Sequence, residues 1–286
     1  MFKKIKKFIN YFLGYLIYIF LSNKFQVKLL SLMKPNQKMF LFIKIIRNIY
    51  FSFWLKNIYL NIEDPNKRIY FQKICLTGLT VDLDWPKSEN AALTDIKSKF
   101  IFENIYKIIK NNDIQDKKLV IVQIGSSSGR IIAKISNKFN NINCVGIDFI
   151  KEYVEYAKST YPQSNLTFLH KKAHNINEVL DLYPDSKFII FSLGSASYMQ
   201  PEHLKDFFIK ISKYNILNFL LAESYYEKNF KKNYSLKPIN FKNYSSYNGG
   251  MHYSHKYCKF AEFTNLKILH NEINQENNSI LCQFKK

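Results

Sequence analysis

The chain has 286 residues and a mass of 34.0 kDa, with 42 Lys and Arg against 22 Asp and Glu for a formal charge of +20. At 47% hydrophobic and 22% charged it can bury a real core, which excludes a disordered or collagen-like chain. Four cysteines, Cys75, Cys144, Cys258 and Cys282, stand far apart with no C-x-x-C pair, which argues against a disulfide scaffold or cysteine zinc knot and for a reducing compartment.

Lys, Ile, Asn, Phe and Tyr dominate throughout, with 25 Phe and 20 Tyr against 8 Gly and 7 Pro. Such a bias lifts the pI to about 9.6 whatever the protein does, so basicity alone is weak evidence for nucleic acid. The distribution says more. Residues 1–62 hold eleven Lys/Arg and no acid, leaving +9 (20 − 11) to the rest of the chain.

Phe8 to Asn23 carries no charge and follows the cluster Lys3-Lys4-Ile5-Lys6-Lys7. No A-x-A-like cleavage site follows, which argues against a signal peptide. Sixteen helical residues reach ~24 Å, short of a hydrocarbon core of ~30 Å. As a helix, the segment puts Ile5, Ile9, Phe12, Leu13, Leu16, Ile17 and Phe20 on one face and Lys7, Tyr11, Tyr15, Tyr18 and Ser22 on the other. Tyrosines between apolar surface and water suit a helix lying in the headgroup layer. After Pro35, Met39 to Lys56 shows a narrow polar stripe (Lys44, Arg47, Asn48, Ser52, Lys56) on an otherwise apolar helix. Residues 1–62 are therefore expected to form a basic, amphipathic, helical extension. Through residues 1–60 it either meets an anionic membrane surface or buries the same faces against the globular domain. Snorkelling of Lys6, Lys7 and Lys24 leaves a true span by the first segment open.

Residues 63–93 read as a connector, with turn signals at Asp64-Pro65 and Trp85-Pro86, and the main domain is expected over 94–286. A helix is predicted from near Thr94, its face marked by Ile101, Ile105, Ile108 and Ile109, ending at Asn111-Asn112-Asp113. No internal repeat is visible.

Leu119-Val120-Ile121-Val122-Gln123-Ile124 is a short apolar run of the kind buried in a parallel sheet. It breaks at Gly125-Ser126-Ser127-Ser128-Gly129-Arg130 and resumes as a helix through Ile131, Ile132 and Ile135. A second strand, Asn143-Cys144-Val145-Gly146-Ile147, ends on Asp148. A sharp strand-to-helix turn that lets a ligand approach the backbone needs glycine where a Cβ would clash. The amides at the helix start favour an anionic ligand group, and a carboxylate closing the next strand can accept both hydrogen bonds of a ribose diol. Ser127 and Arg130 stand where a dinucleotide fingerprint needs glycine, and the Lys-Ser/Thr of a P-loop is missing.

The run instead resembles motif I of the class I S-adenosylmethionine (SAM)-dependent methyltransferases, strand-acid-x-G-x-G-x-G. Later segments resemble that family's elements in order: the helix Lys151–Ala157, the strand Asn165–Leu169, the strand Phe188–Gly194 with the helix from Pro201-Glu202-His203-Leu204, the strand Phe219–Glu223, and a hairpin of Leu266–Ile273 and Ser279–Phe284. The resemblance covers roughly residues 95–286. It implies an α/β, Rossmann-like, seven-stranded and mostly parallel sheet with a C-terminal antiparallel hairpin, and SAM as cofactor. It implies a SAM site at Gln123, Gly125, Ser126, Ser127, Gly129, Asp148, Phe149 and Ser192, with Asp148 on the ribose and Phe149 against the adenine. Gln123 departs from the usual acid, Ser127 from the middle glycine, and no Asp stands near Lys172-Ala173-His174. A non-catalytic SAM-binding protein therefore stays open beside the enzyme.

An oxygen acceptor benefits from a general base, usually His. His203 and His270 fall in a predicted helix and strand, and His170 and His174 follow the third strand. His255 and His252 remain, in the loop Tyr247–Tyr257 after the fifth strand, whose aromatic, amide and imidazole groups suit a sugar ring; His255 is favoured. The tail is weakly similar to bacterial sugar O-methyltransferases. No Asn/Asp-Pro-Pro-aromatic run for base amines is present, and no metal cluster can be assembled. The expectation is O-methylation of a sugar or surface-polymer precursor, with a small-molecule or glycan acceptor, in the cytoplasm and peripherally on the inner membrane face if the extension docks there. RNA methylation is the alternative, with nucleic acid the less favoured partner.

Overall fold

The computed structural model describes residues 2–22, 96–111, 118–226, 245–249 and 252–286, with scattered positions between 25 and 71. The chain divides into two compact units, 1–85 with 236–240, and 86–235 with 241–286. Their boundary falls inside the segment expected as a connector.

In the first unit, helix α1 runs Phe2–Phe20. Gly14 is its contact point, since a Cβ there would stand 2.4 Å from Phe53 Cβ. Tyr11, Tyr15 and Tyr18 flank that contact, their rings 5.3, 6.1 and 6.1 Å from the Phe53 ring. The tyrosine side predicted to face water is therefore partly packed against protein. Ile9, Phe12, Leu13, Ile19 and Phe20 are exposed, Phe20 at 77%. Among the described residues no helix is long and apolar enough to cross a membrane. Of the predicted helix 39–56, residues 45, 46, 48–51, 53 and 54 are helical, while Lys44, Arg47, Ser52 and Lys56 lie outside the described residues, as does Thr94.

The second unit runs α2 (Ile96–Asn111), β1 (Leu119–Ile124), α3 (Arg130–Lys138), β2 (Asn143–Asp148), α4 (Lys151–Thr160), β3 (Leu166–His170), α5 (Asn177–Leu180), β4 (Lys187–Leu193), α6 (Pro201–Ile211), β5 (Ile216–Ser224), β6 (Ser245–Gly249), β7 (His252–His255), α7 (Tyr257–Ala261), β8 (Lys267–Asn274) and β9 (Ser279–Lys285). Seven strands form one sheet in the order β3-β2-β1-β4-β5-β9-β8. The first five are parallel, and β9 inserts antiparallel between β5 and β8. This is the Rossmann-like architecture expected from the sequence. β6 and β7 pair separately as a two-stranded hairpin, where the sequence suggested only a loop.

Every residue of β1 is buried, because helices cover both faces of the sheet. Val120, Val122 and Ile124 point to one side, with Phe188, Ile190, Phe219 and Leu221, against Leu204, Phe207 and Phe208 of α6. Leu119 and Ile121 point to the other, with Ile189, Phe191 and Leu220, against Ile101, Ile105 and Ile108 of α2 and Ile132 of α3. From β1 the chain winds outward through β2 and β3, then returns to β4 on β1's other side. That reversal lies between β1 and β4, and open α/β sheets bind ligands beyond the C-terminal ends of the strands at such a point.

Candidate functional site

The turn from β1 into α3 takes three left-handed residues: Gly125 (φ 65°), Ser127 (φ 49°) and Gly129 (φ 83°). At Gly125 a Cβ would stand 2.3 Å from Ser195 of the turn after β4, and at Gly129 one would stand 2.6 Å from the Phe168 ring. Glycine is therefore demanded twice over, by conformation and by space. Ser127 adopts the same region as a non-glycine residue, which costs of order 1–2 kcal/mol and shows how the turn dispenses with its middle glycine.

Two side chains hold this turn from below. Gln123, buried within β1, accepts at Oε1 from the Ile132 amide in the first turn of α3, 3.1 Å away. It thus fixes the helix start through its carbonyl oxygen. Asp148 closes β2 at 6% exposure. Its Oδ2 accepts from the Ser127 amide at 2.8 Å and its Oδ1 from the Ile150 amide at 2.9 Å. Burial lifts its pKa above the ordinary value, opposed by the amides of Ile150, Ser127 and Phe149 and by the charge of His170. Ser126 donates its backbone N–H to the Ile147 carbonyl, while its buried hydroxyl has no partner among the described residues. Phe149 is half-buried beside Asp148, its carbonyl 3.1 Å from His170 Nε2.

Ser192, the last assigned cofactor residue, is fully buried and donates to Glu223 Oε1 at 2.7 Å while accepting from the Ala196 amide at 2.9 Å. Its hydroxyl proton and one of its lone pairs thus go to the scaffold. Glu223, near the end of β5, is fully buried as well. It also accepts from the amides of Ser195 (3.2 Å), Ala196 (3.1 Å) and Ser197 (3.2 Å). Burial lifts its pKa, while the Ser192 hydroxyl, the amides of Ala196 and Ser197 and the charge of Lys97 draw it down.

The hairpin β6–β7 reverses the preference between the two histidines. His255 is fully buried, with Nδ1 2.6 Å from Ser245 Oγ and Nε2 3.2 Å from the Met199 carbonyl. These contacts assign the neutral tautomer with the proton on Nε2. Burial pushes its pKa down to about 3. With both nitrogens engaged inside the protein, His255 cannot take a proton from a bound acceptor. His252 is half-buried, its ring 5.7 Å from Tyr198 and 6.3 Å from Tyr226. The other predicted turn histidine, His174, stacks on His203 at 4.1 Å, and burial holds His203 down to about 4. His270 stacks on Phe100 and sits 3.4 Å from Glu272 on the edge strand. Among the described residues no group of three or more His, Cys, Asp or Glu is placed to hold a metal ion.

No family model and no curated protein matches the sequence. Similar solved structures include a SAM-dependent methyltransferase from Clostridium acetobutylicum at 17% identity and TM-score 0.47, over 69% of this chain and 94% of that one. Another from Anabaena variabilis stands at 10% identity and TM-score 0.45, over 72% and 95%. A TehB-like SAM-dependent methyltransferase from Corynebacterium glutamicum stands at 14% and 0.43, over 69% and 91%. The fold itself rests on the strand order above, and no activity is carried over from these proteins.

The sheet thus gathers Gly125, Ser126, Ser127, Gly129 and Asp148 into one turn, with Phe149 alongside. Gln123 supports that turn from inside, Ser192 supports the turn after β4, and His255 lies in the core of the hairpin. Sequence reading missed Ser195, Tyr198, Glu223 and Tyr226. Of these only Glu223 carried a signal, as an acid closing an otherwise apolar strand.

Proposed function

We propose that the chain is a SAM-dependent methyltransferase that methylates a hydroxyl oxygen of a sugar or surface-polymer precursor. The observation that carries the reading is the pairing of Asp148 with the glycine turn at the sheet's reversal point. A carboxylate offers about four acceptor positions; the Ser127 and Ile150 amides take one on each oxygen and the Phe149 amide also acts on it, which leaves room for a hydrogen bond from a ribose hydroxyl. The buried, unpartnered Ser126 hydroxyl beside it suits a polar ligand. The residues present therefore fit the adenosyl end of SAM, which when bound supplies a sulfonium-activated methyl group.

His252 is the group assigned to draw the proton from the acceptor hydroxyl, and Tyr198 and Tyr226 are the aromatic faces against which a sugar ring can rest. Such a reaction depends chiefly on holding two partners in line, which accounts for up to ~7–11 kcal/mol of a barrier, with a general base adding ~10²–10⁴-fold. The reading extends to a cytoplasmic membrane face, supported by eleven basic residues with no acid in 1–62 and by the exposed apolar side of α1.

Calorimetric titration of SAM into the wild-type protein and Asp148→Ala tests the reading. A clear heat of binding that falls by at least about tenfold in affinity in the variant supports it. Equal affinities refute the site. Binding without turnover on any hydroxyl acceptor turns the reading toward a SAM-sensing protein.

A further inference from the structure

Glu223, near the end of β5, lies across β1 and β4 from Asp148 at the end of β2. A carboxylate held out of water is tolerated only when its acceptor positions are filled, and here all four donors come from one stretch, Ser192 to Ser197. Three of them are successive backbone amides, a concavity of the kind that binds anions. The protein fills this concavity with its own side chain.

The consequence reaches the glycine turn through Ser195. Its Oγ donates to the Gly125 carbonyl at 3.1 Å, and its Cβ occupies the space that a side chain on Gly125 would need. The β1 turn is thereby clamped between two buried carboxylates. Asp148 at the end of β2 grips the Ser127 amide, and Glu223 grips the turn that presses on Gly125.

We infer that Glu223 is a positioning residue for the methyl-donor pocket: it fixes the turn Ser195–Ser197 and, through Ser195, the carbonyl of Gly125. The identity of the ligand rests on the methyltransferase reading above. A wall already in place needs no ordering when the ligand arrives, whereas a loosened one must be ordered at the expense of affinity. Gln cannot substitute, because its NH₂ would face either the Ser197 amide or the three donors gathered on Oε1.

The test uses full-length wild type, E223Q, S195A and the double variant. Two readouts are taken: SAM affinity by calorimetry, and amide exchange of residues 192–200 without SAM by mass spectrometry. E223Q is expected to weaken SAM binding by about tenfold and to speed exchange at Ser195–Ser197. S195A keeps the carboxylate and its amides, so it weakens SAM while exchange at Ala196 and Ser197 stays slow. The double variant binds no worse than E223Q, since both act along one chain of contacts. An E223Q protein that binds SAM within about twofold of wild type, or protects the same amides equally, overturns the inference. If E223Q does not fold, S195A decides alone, and wild-type affinity in S195A overturns it. Wild type that takes up no SAM refutes the methyl-donor reading and this role with it, whereas wild-type binding matched by E223Q refutes only the role of Glu223.

Discussion

Replacing His255 by Gln gives a quantitative test of the assignment of His255 to the core and His252 to the chemistry. Gln can still donate to the Met199 carbonyl but does not titrate. In the folded wild type, burial holds His255 neutral down to about pH 3, whereas the unfolded chain protonates it near its ordinary value of 6.5. The unfolded state therefore binds more protons throughout that window, and stability falls as pH falls from 6.5 toward 3. Each pH unit is worth about 1.4 kcal/mol, so about 2–3 kcal/mol disappears between pH 6.5 and 4.5 on account of this one imidazole. His203, held down to about 4, contributes in the same direction but is present in both proteins and cancels in the difference. Urea midpoints followed by far-UV circular dichroism at the two pH values give the comparison. H255Q should be less stable at pH 6.5, because Ser245 Oγ loses its partner, yet lose about 2–3 kcal/mol less on acidification to pH 4.5. Parallel losses in the two proteins would refute a neutral, buried His255 and reopen it as a base.

Two further outcomes follow from the site and from α1. H252A should retain SAM affinity while kcat falls by about 10²–10⁴-fold on a hydroxyl acceptor; unchanged kcat would take the base role from His252. The full-length triple variant F12E/I19E/F20E should no longer co-sediment with phosphatidylglycerol vesicles that retain the wild type, and equal retention would remove the membrane-surface reading.

Much of the sheet was legible because its strands are buried on both sides: a run such as Leu119–Ile124 leaves little choice once a glycine turn and a second apolar run follow. Asp148 was legible for the same reason, as the acid that ends such a run. Glu223 also ends one, but its meaning lies in a hydroxyl and three amides 26–31 residues away that only the folded sheet brings to it. The hairpin was illegible for another reason. Ser245, Ser254 and His255 look like solvent-facing residues in the sequence, yet all three are buried, because Ser245 and His255 satisfy each other and Ser254 accepts from the Tyr226 amide. In α1 the periodicity separated an apolar from a tyrosine side, but could not show that Gly14 would let Phe53 settle among the tyrosines.

The antiparallel insertion of β9 also sets the order in which this protein can be completed during synthesis. Strands β3, β2, β1, β4 and β5 can assemble progressively as they leave the ribosome, but the outer edge of β5 stays bare until residues 279–285 have been made. Phe219 then meets Phe284, and Glu223 pairs across from Ile280. Until that moment the nascent chain presents an apolar, unpaired strand, the kind of edge on which chains aggregate and chaperones act. Finishing the sheet and sealing the end of β5 that carries Glu223 are one late event.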